Sequence, residues 1–518
     1  MADAGDSVWL GGRIFTGRSW TEGMAVENGR VLALGSSQEV RASSGTGAMR
    51  HDLGGRLLIP GLVDSHLHLQ DSVVRAEGVD LAGVREWSEL ERRVRSWSEA
   101  HPGAVVLGGG WDEELLPDRR RPDRTWLDRL VPDRPAILHR VCTHLSVANS
   151  AALQELGLDR STPDPPGGRV GRSRDGEPDG LLFDNALHGT GRFARTLFRR
   201  FDREIRRVLS RWAAEGLTAV GAVSAEPEEV EHLRRLEEAD HLPVRVHAYL
   251  RMDRWRAGSV PAPFLPTARV SIDGVKVVLD GSLGARTAWL SEPYSDAPSE
   301  VGHSLWEFSA LAPALGTAVA EGWRPALHAI GDRAMREALR LLEELRPPQG
   351  ARIEHLSVTP PELLGRIART GAVAVVQPRF RTSDLWVRER LGEKRASWVY
   401  AFRDLRDRGV PLAGSSDSPV EPADPWTGLR AATVPPGGSA VGQALTLLEA
   451  LGLYTVGAGA ALARPERGAL LVGGPADFVV VDRPSLESAL QAPSPPIRET
   501  WLEGKPVFRA EEPSGRSP

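Results

Sequence analysis

Short apolar runs separated by glycines and polar turns occupy both ends of the chain. Runs at residues 8–10 and 13–15 are each followed by turn residues, a pattern typical of β-strands joined by tight turns. Residues 468–508 repeat this pattern. We therefore predict one small β-sandwich domain that both ends of the chain form together, over residues 1–56 and 465–510.

Between these flanks, residues 57–464 alternate apolar runs with amphipathic helical patterns, which favours a parallel sheet. Eight apolar runs are predicted as strands, so the predicted fold class is α/β, a (β/α)8 TIM barrel. The predicted strands are residues 61–68, 217–223, 244–250, 272–279, 324–328, 352–355, 373–377 and 410–415. Helices are predicted at residues 202–214, 228–239, 332–345 and 361–370.

Residues 70–200 are predicted as an insertion after the first barrel strand, folding over the barrel mouth as a substrate cap. Apolar runs at residues 105–109 and 135–141 are assigned to this insertion rather than to the barrel. The Pro/Gly-rich part, residues 162–180, is predicted as a loop.

The apolar run from Leu57 to His68 is predicted as one strand that ends in two histidines. Because side chains alternate along a strand, His66 and His68 point the same way. Two imidazoles at the end of a buried strand can bind a divalent transition metal. Paired histidines are also common on protein surfaces, so this motif alone is weak.

Other ligand-type side chains stand at the ends of further predicted strands. Barrel enzymes carry their chemistry at the C-terminal ends of their strands. The simpler alternatives are core histidines bonded to backbone and, for Asp417, an ordinary turn residue. Together these positions predict one rim of candidate metal ligands: His66, His68, Lys276, His328, His355 and Asp417.

Lys276 is unusual because only three of the 64 basic residues are lysines. A buried lysine can lose its proton to become a neutral amine at neutral pH, whereas arginine cannot. Lys276 lies within an apolar run, where an unpaired ammonium is costly. It could also snorkel or pair with Asp273 or Asp280. A salt bridge between Asp280 and Arg286 is a further possibility for the loop that follows.

Composition and charge are those of an ordinary globular protein. The chain is 41% hydrophobic and 26% charged, and its net charge of −5 gives no case for nucleic acid or an anionic membrane. Cys142 is the only cysteine, so no intramolecular disulfide can form. No signal-peptide pattern and no apolar stretch of about 18 residues are present. We therefore predict a cytoplasmic protein.

The sequence around the candidate ligands resembles a known family. The series His-x-His, Lys, His, His and Asp on strands one, four, five, six and eight is similar to the binuclear amidohydrolase superfamily. The flanking sequence is similar to its YtcJ-like branch, the amidohydrolase 3 type, from about residue 8 to residue 508. The matching stretches are PGLVDSHLHL, GGGWDEELLP, HRVCTHLSVANSAAL, GVKVVLDGSLGARTA, HAIGDRAM, IEHLSV, VVQP, SSDSPVEPADPW and GALLVGGPADFVVVDRP.

This resemblance implies two divalent metal ions at the rim. Zinc is the first choice because it accepts mixed nitrogen and oxygen ligands, and iron, manganese or cobalt suits the same donors. Lys276 would react with CO2 to give a carbamate that bridges both ions; the alternative is one ion and an unmodified lysine. The remaining ligands would be His66, His68 and Asp417 for one ion, and His328 and His355 for the other.

The resemblance also implies roles in the reaction. A water between two cations loses a proton near neutral pH, and the metals polarise the substrate carbonyl. Asp417 would accept that proton and pass it to the departing nitrogen, so Asp417 and Lys276 are the predicted catalytic residues.

Substrate-binding residues are predicted in the insertion, where the branch has residues similar to Trp111, Arg140 and His144. Gln377, at the end of the seventh strand, is predicted to face the pocket. The alternatives are a packing role for Trp111, a hydrogen-bonded pair for Arg140 and His144, and backbone bonding for Gln377.

Three departures from the branch put the substrate pocket in doubt but leave the metal ligands unchanged. The chain has Cys142-Thr143 where Asp-Gly is usual, Ser415 where Gly is usual, and Asp184 where Glu is expected.

We therefore predict a metal-dependent amidohydrolase that hydrolyses a non-peptide C–N bond of a small molecule. The bond would be that of an amide, an N-substituted formamide or a cyclic amide, and the family suggests a homodimer. The same metal site could instead catalyse isomerisation, decarboxylation or cyclisation of a specialised metabolite, without net consumption of water. A non-catalytic binding protein is the third class; lost ligands would mark it, and none is lost here.

Overall fold

The computed structural model describes residues 6–194, 201–255, 269–433 and 442–511. Residues 1–5 of the predicted sandwich and residues 195–200 of the predicted insertion lie outside the described residues. The strands are β1 (Ser7–Leu10), β2 (Arg13–Phe15), β3 (Trp20–Thr21), β4 (Gly23–Glu27), β5 (Arg30–Gly35), β6 (Met49–Asp52), β7 (Leu57–Pro60), β8 (Leu62–Leu67), β9 (Val79–Asp80), β10 (Val106–Trp111), β11 (Ala136–Arg140), β12 (Leu145–Ala148), β13 (Gly168–Arg172), β14 (Pro178–Asp184), β15 (Leu217–Ala225), β16 (Arg245–Arg251), β17 (Val270–Val278), β18 (Arg324–Ala329), β19 (Arg352–His355), β20 (Val373–Val376), β21 (Leu412–Gly414), β22 (Phe478–Val481), β23 (Ile497–Leu502) and β24 (Lys505–Arg509). The helices are α1 (Ser37–Ser43), α2 (Leu69–Glu77), α3 (Trp87–Ala100), α4 (Arg124–Leu130), α5 (Ser150–Leu156), α6 (Gly191–Ala194), α7 (Phe201–Ala214), α8 (Pro227–Glu238), α9 (Phe308–Ala320), α10 (Asp332–Leu345), α11 (Pro361–Thr370), α12 (Phe380–Ser383), α13 (Val387–Ala396), α14 (Phe402–Asp407), α15 (Pro425–Thr433), α16 (Leu447–Leu453), α17 (Val456–Ala461) and α18 (Leu486–Leu490).

Strands from both ends of the chain form two sheets that pack face to face. One has the order β5-β4-β1-β6 and the other the order β24-β23-β22-β7-β2-β3. Their shared core contains Trp9 and Met24 from the first sheet and Leu58, Phe478 and Trp501 from the second. One face of each sheet forms this shared core. The opposite faces are also buried, since Val8 and Leu10 of the first sheet pack with Val40, and Leu57 and Ile59 of the second sheet pack in the barrel core. The exact domain boundaries remain a prediction.

The prediction of a single strand from residue 57 to residue 68 is wrong. The run divides into β7, which pairs with β2 and β22, and β8, which pairs with β15 in the barrel. Gly61 separates the two strands, and a Cβ there would lie 2.1 Å from Thr218 Oγ1. Only glycine fits this approach, so the chain can leave one sheet and enter another within one residue.

The eight predicted barrel strands all form, and the predicted fold class is confirmed. They make one sheet in the order β21-β20-β19-β18-β17-β16-β15-β8, and every neighbouring pair is parallel. The segment after β21 reaches β8 across the remaining gap. There the Asp417 N–H donates to the His66 carbonyl at 2.9 Å, and the His68 N–H donates to the Ser418 carbonyl at 2.7 Å. These bonds close the sheet at its C-terminal rim.

The insertion contains its own sheet, in the order β13-β14-β12-β11-β10-β9. The assignment of residues 105–109 and 135–141 to insertion strands is confirmed by β10 and β11. The prediction of a loop over residues 162–180 is wrong, because β13 and the start of β14 lie there as an antiparallel pair. Gly180 has φ +97°, and a Cβ there would lie 2.6 Å from the Ala148 carbonyl, so it serves close strand packing.

Within the described ranges, no helix combines the length and the apolar character that crossing a bilayer requires.

A fully buried arginine joins the insertion to the barrel. Arg390, on α13, forms ion pairs with Glu114 of the insertion and with Asp296 of the loop after β17. Arg119 of the insertion also pairs with Glu389, next to Arg390, at 2.9 Å. The insertion is therefore held over the barrel by charge pairs on α13.

We expect Arg390→Met to lower the free energy of unfolding by about 1–3 kcal/mol, because Glu114 and Asp296 both lose their fully buried partner, although Asp296 keeps its pair with Arg286. The matched control is Arg388→Met, whose exposed pair with Glu393 should contribute little. Urea unfolding followed by tryptophan fluorescence measures both. Equal midpoints for the two variants would contradict a role for Arg390 as the buried link.

Candidate metal centre

The six predicted ligands meet at the C-terminal rim of the barrel. Lys276 comes from β17, His328 from β18 and His355 from the end of β19, while Asp417 follows β21. His66 is fully buried in β8. The other five line the floor of a cavity of about 850 Å³: His68, Lys276, His328, His355 and Asp417.

Two of these residues have a positive φ angle, a backbone conformation that is rare for residues other than glycine. His355 has φ 73° and Asp417 has φ 58°. Such conformations are costly and persist where the surrounding structure holds them, often at functional sites. Here the backbone bond between Asp417 and His66 supplies part of that hold.

Asp417 lies at the centre of the donor cluster. Its Oδ1 is 3.1 Å from His66 Nε2 and 3.2 Å from His68 Nε2, and its Oδ2 is 4.0 Å from His355 Nδ1. The ring centroids of His66 and His355 are 4.9 Å apart, and those of His355 and His328 are 4.4 Å apart. The imidazoles therefore form one continuous row across the rim.

Hydrogen bonds leave one nitrogen free on three of these rings. His66 Nδ1 donates to Glu354 Oε2 at 2.5 Å, and His355 Nδ1 donates to Gln377 Oε1 at 2.9 Å. His328 Nε2 donates to the Gly281 carbonyl at 3.1 Å. Because each acceptor is an oxygen, the second nitrogen of each ring keeps its lone pair for a ligand bond.

Glu354 was not predicted as a site residue, yet it orients His66. Its carboxylate accepts two bonds from Arg352, at 2.5 and 3.0 Å, and both side chains are fully buried. Burial alone would raise the pKa of Glu354, but Arg352 and His66 hold that pKa well below its usual range. An arginine and a glutamate on the same face of β19, directly before His355, are the signal that could have identified this pair.

Gln377 does not act as the predicted pocket-facing residue, because its polar atoms are used beneath the donors. While Oε1 binds His355, its Nε2 donates to Ser415 Oγ at 2.8 Å, and Ser415 Oγ donates to the Val376 carbonyl at 3.1 Å. Ser415, one of the three departures from the branch, therefore supports a candidate ligand through Gln377.

Lys276 is buried, and its Nζ has no hydrogen-bond partner among the described residues. Neither predicted pairing forms: Asp273 contacts His247 at 2.9 Å, and Asp280 accepts the backbone N–H groups of Ile330 and Gly331 at 3.0 and 2.8 Å. Burial lowers the pKa of Lys276 to about 8.

The predicted salt bridge between Asp280 and Arg286 is also absent among the described contacts. Arg286 pairs with Asp296 at 2.7 Å instead. Asp280 has no need of a cation because backbone amides, including that of Trp289 at 2.8 Å, satisfy its carboxylate.

The donor set fits a divalent metal ion. His66 Nε2, Lys276 Nζ and Asp417 Oδ1 are buried without a hydrogen-bond partner in the part of the chain that the structure describes. One ligand atom each from His66, His355 and Asp417 lies within 4.8 Å of the others. Buried polar atoms without partners are costly unless a ligand satisfies them, and imidazole with carboxylate is a common ligand set for transition metals.

The predicted substrate residues of the insertion occupy different positions. Trp111 is buried inside the insertion, where its Nε1 donates to the Leu138 carbonyl at 2.8 Å, so it is a packing residue. Arg140 and His144 both line the cavity, but they do not form the alternative pair. His144 Nδ1 contacts Asp184 Oδ1 at 2.8 Å instead.

Arg140 is fully buried beside the cavity and carries two ion pairs. Its guanidinium contacts Asp112 at 2.6 Å and Glu113 at 2.7 Å. Its donors are therefore largely used by the insertion itself, which limits what it can offer a substrate.

The comparisons with known proteins agree with this geometry. A family model described as the amidohydrolase family matches residues 51–508. The chain is 32% identical to “Putative amidohydrolase YtcJ” of Bacillus subtilis (strain 168), over 97% of this chain and 99% of that protein. It is 26% identical to an N-substituted formamide deformylase of Arthrobacter pascens, over 91% of this chain and 92% of that protein. The crystal structure of an uncharacterized metal-dependent hydrolase from Pyrococcus horikoshii OT3 matches with a TM-score of 0.77 and 32% identity, covering 92% of this chain and 97% of that chain.

We expect Gln377→Leu to weaken divalent-metal binding about 10–100-fold, because His355 loses the acceptor that orients its ring. Competition with a metal chelator, followed by elemental analysis, measures the change. Gln154→Leu, at an exposed position of α5, is the matched control and should bind metal as the wild type does. Unchanged affinity in Gln377→Leu would show that the His355 contact is not needed.

Proposed function

The chain belongs to the amidohydrolase family of metal-dependent hydrolases, and we propose that it hydrolyses a non-peptide C–N bond of a small molecule. The proposed bond is that of an amide, an N-substituted formamide or a cyclic amide. The cavity above the six candidate donors is the proposed substrate site.

The observation that carries this proposal is the group of buried donor atoms without protein partners among the described residues. We infer two divalent ions, zinc as the first choice, at these donors. Bound there, the ions would polarise the substrate carbonyl and lower the pKa of a water molecule. The proposed ligands are His66, His68 and Asp417 for one ion, His328 and His355 for the other, and modified Lys276 for both.

Lys276 is the proposed bridging ligand. Its neutral amine would form an N–C bond with CO2, release one proton and become a carbamate with two oxygens. Burial favours the neutral amine, because it lowers the pKa of Lys276. Because Lys276 Nζ has no hydrogen-bond partner among the described residues, forming the carbamate breaks no described hydrogen bond.

Asp417 is the proposed proton carrier. Its Oδ1 has no hydrogen-bond partner among the described residues, and the whole carboxylate lies among three histidines, with Oδ1 near His66 and His68 and Oδ2 near His355. Asp417 would take a proton from the attacking water, whose oxygen bonds to the acyl carbon. When the C–N bond breaks, Asp417 would return that proton to the departing nitrogen, so atoms and charge balance.

The choice of a C–N bond is supported by one relative and by the shape of the site. The similar Arthrobacter pascens protein is an N-substituted formamide deformylase. The cavity of about 850 Å³ is lined by charged side chains and by aromatic ones, and the aromatic ones include Trp306, Phe380 and Trp386. Such a cavity suits a small organic substituent on the nitrogen. A homodimer and a cytoplasmic location remain predictions.

The test is a panel of N-alkyl formamides, N-acetyl amines, lactams and ureas, assayed for released amine with zinc-, manganese- and cobalt-loaded protein. The proposal expects hydrolysis of at least one class, abolished by chelation and restored by metal. Substrate turnover without consumption of water, or inactivity on the whole panel, would overturn it.

We expect Lys276→Met to lower the bound metal from about two equivalents to one or fewer, because the bridging ligand is lost. Elemental analysis measures this. In wild-type protein supplied with ¹³C-bicarbonate, carbon NMR should show a carbamate signal that the variant lacks. Lys394→Met, at a surface position, is the control and should match the wild type. Two full equivalents in Lys276→Met would exclude the bridging role.

We expect Asp417→Asn to lower kcat about 10²–10⁴-fold, since the amide keeps an oxygen at the site but cannot carry the proton. Steady-state kinetics on the best panel substrate measures the loss, and elemental analysis checks that metal stays bound. Asp407→Asn, an exposed residue of α14, should leave kcat unchanged. A fully active Asp417→Asn enzyme would rule out the proton-carrier role.

A further inference from the structure

One wall of the cavity is formed by α12 and the turn that joins it to α13. Four residues of this segment line the cavity: Phe380, Ser383, Asp384 and Trp386. The Phe380 ring lies parallel to the ring of His355, with 6.5 Å between their centroids and 7° between their planes. The Asp384 N–H donates to the Phe380 carbonyl at 3.0 Å, which places Asp384 one helical turn, about 5 Å, from Phe380 along the helix axis. A substrate whose reacting bond lies at the candidate ligands can therefore reach Asp384 with a chain of a few methylene groups.

Asp384 is held in place by one buried side chain. The Tyr400 hydroxyl donates to Asp384 Oδ2, and Tyr400 has φ 58°, a conformation that is rare for residues other than glycine. Asp384 itself is only partly buried, and its Oδ1 accepts no hydrogen bond among the described residues. Within the described ranges, no arginine or lysine forms an ion pair with this carboxylate. The structure thus fixes the carboxylate and leaves one of its oxygens for a ligand.

Two other carboxylates close to Asp384 do have cationic partners. Glu421 pairs with Arg379 at 3.0 Å, and Asp112 pairs with Arg140 at 2.6 Å. Both of these carboxylates line the same cavity. The positive charges of Arg379 and Arg140 are therefore already used by other partners, and Asp384 is left without one among the described residues.

The surroundings of Asp384 suit an organic cation. Burial raises the pKa of Asp384 to about 7, and the negative charges of Glu421 and Asp112 act in the same direction. A cation beside the carboxylate would favour its ionised form. The aromatic side chains of Phe380 and Trp386 at the same wall suit the methylene groups that carry such a cation. A single carboxylate lacks the several oxygen ligands that calcium or magnesium takes, so an alkylammonium group fits better than a metal ion.

We propose that Asp384 is a specificity-determining residue that binds an ammonium group at the end of the substrate's nitrogen substituent. The preferred substrates are then N-acylated alkyldiamines, including N-(aminoalkyl)formamides. The ammonium donates a charge-assisted hydrogen bond to Oδ1, while Tyr400 keeps Oδ2 in place. This inference rests on the proposed function of the same cavity and names the substrate class that the cavity selects.

The test uses pairs of substrates that differ only at the end of the chain. Each pair is an N-(aminoalkyl)formamide and the N-alkylformamide that has a methyl group in place of the ammonium, with linkers of three to six methylenes. Zinc-loaded full-length protein is assayed at pH 8, above the pKa of about 7 of Asp384, so that the carboxylate is ionised. The wild type should have the higher kcat/KM for the aminoalkyl member of at least one pair.

Asp384→Asn should lower the ratio of the two kcat/KM values about tenfold or more, because the amide oxygen can still accept from Tyr400 but carries no charge. The loss should lie mainly in KM, since the ammonium is remote from the reacting bond. Asp384→Glu, which keeps the charge, should retain part of the preference. Asp407→Asn, at an exposed position of α14, is the matched control and should show the wild-type ratio.

A binding experiment keeps the inference separate from the proposed function. Calorimetry measures the binding of ε-aminohexanohydroxamic acid and of heptanohydroxamic acid, two metal-binding compounds that differ only in a terminal ammonium or methyl group. Zinc-loaded wild-type protein should bind the amino compound more tightly, and Asp384→Asn should lose that preference. This readout does not require any substrate to be hydrolysed.

The outcomes are distinct. Wild-type protein that hydrolyses nothing but prefers the amino hydroxamate contradicts the proposed function and supports the present inference. Equal treatment of ammonium and methyl compounds by the wild type overturns the inference, and so does a preference that Asp384→Asn keeps. A preference that is lost in Asp71→Asn, another carboxylate lining the cavity, and kept in Asp384→Asn would place the ammonium elsewhere and also overturn it. Thermal melting shows whether each variant is folded, and elemental analysis shows whether it holds zinc.

Discussion

The buried ion pair between Arg352 and Glu354 is the interaction on which the rest of the site depends. Both side chains are fully buried, and Glu354 also accepts the Nδ1 proton of His66. Arg352 donates in addition to the Ser65 carbonyl at 2.6 Å, which links β19 to β8 across the barrel interior. An uncompensated charge in this place would cost several kcal/mol, so neither partner can change alone. The pair thereby connects the barrel core to the orientation of a candidate ligand.

Polar groups beneath the rim orient the candidate ligands by hydrogen bonds. Gln377 and Ser415 hold His355, and the Gly281 carbonyl holds His328. Each of these contacts settles which nitrogen of a ring stays free. The ring nitrogens left free then face the same site as Lys276 Nζ. Among the described residues, His66 Nε2, Lys276 Nζ and Asp417 Oδ1 have no hydrogen-bond partner there. Specific chemistry at the rim thus follows from ordinary hydrogen bonds one layer deeper.

The sequence was sufficient for the barrel and for the convergence of donors, because both follow from repeating patterns. Apolar runs alternate with helices, and His66, His68 and Asp417 stand at predicted strand ends. It was not sufficient where a single contact decides the outcome. The break at Gly61 depends on Thr218, which is distant in sequence. Likewise, an amide such as Gln377 looks the same in sequence whether it faces a substrate or a buried imidazole.

The insertion shows the same division between pattern and contact. Its strands β10 and β11 could be predicted from apolar runs. The glycines and prolines of residues 162–180 instead predicted a loop where β13 and the start of β14 form. Those glycines permit close strand packing, so composition alone pointed to the wrong structure. Trp111 looked like a substrate residue in sequence, yet the fold turns it inwards and leaves its neighbour Asp112 at the cavity.

The backbone bonds that close the barrel join Asp417 and Ser418 to His66 and His68, so they are made by the same short segments that carry three of the candidate ligands. The closure of the barrel and the candidate metal ligands therefore lie at one place. A metal ion bound there would hold β8 and the segment after β21 together, in addition to its part in the reaction. Loosening of the wall and dismantling of the donor cluster would be a single event, so selection on durability and selection on chemistry would act on the same few atoms.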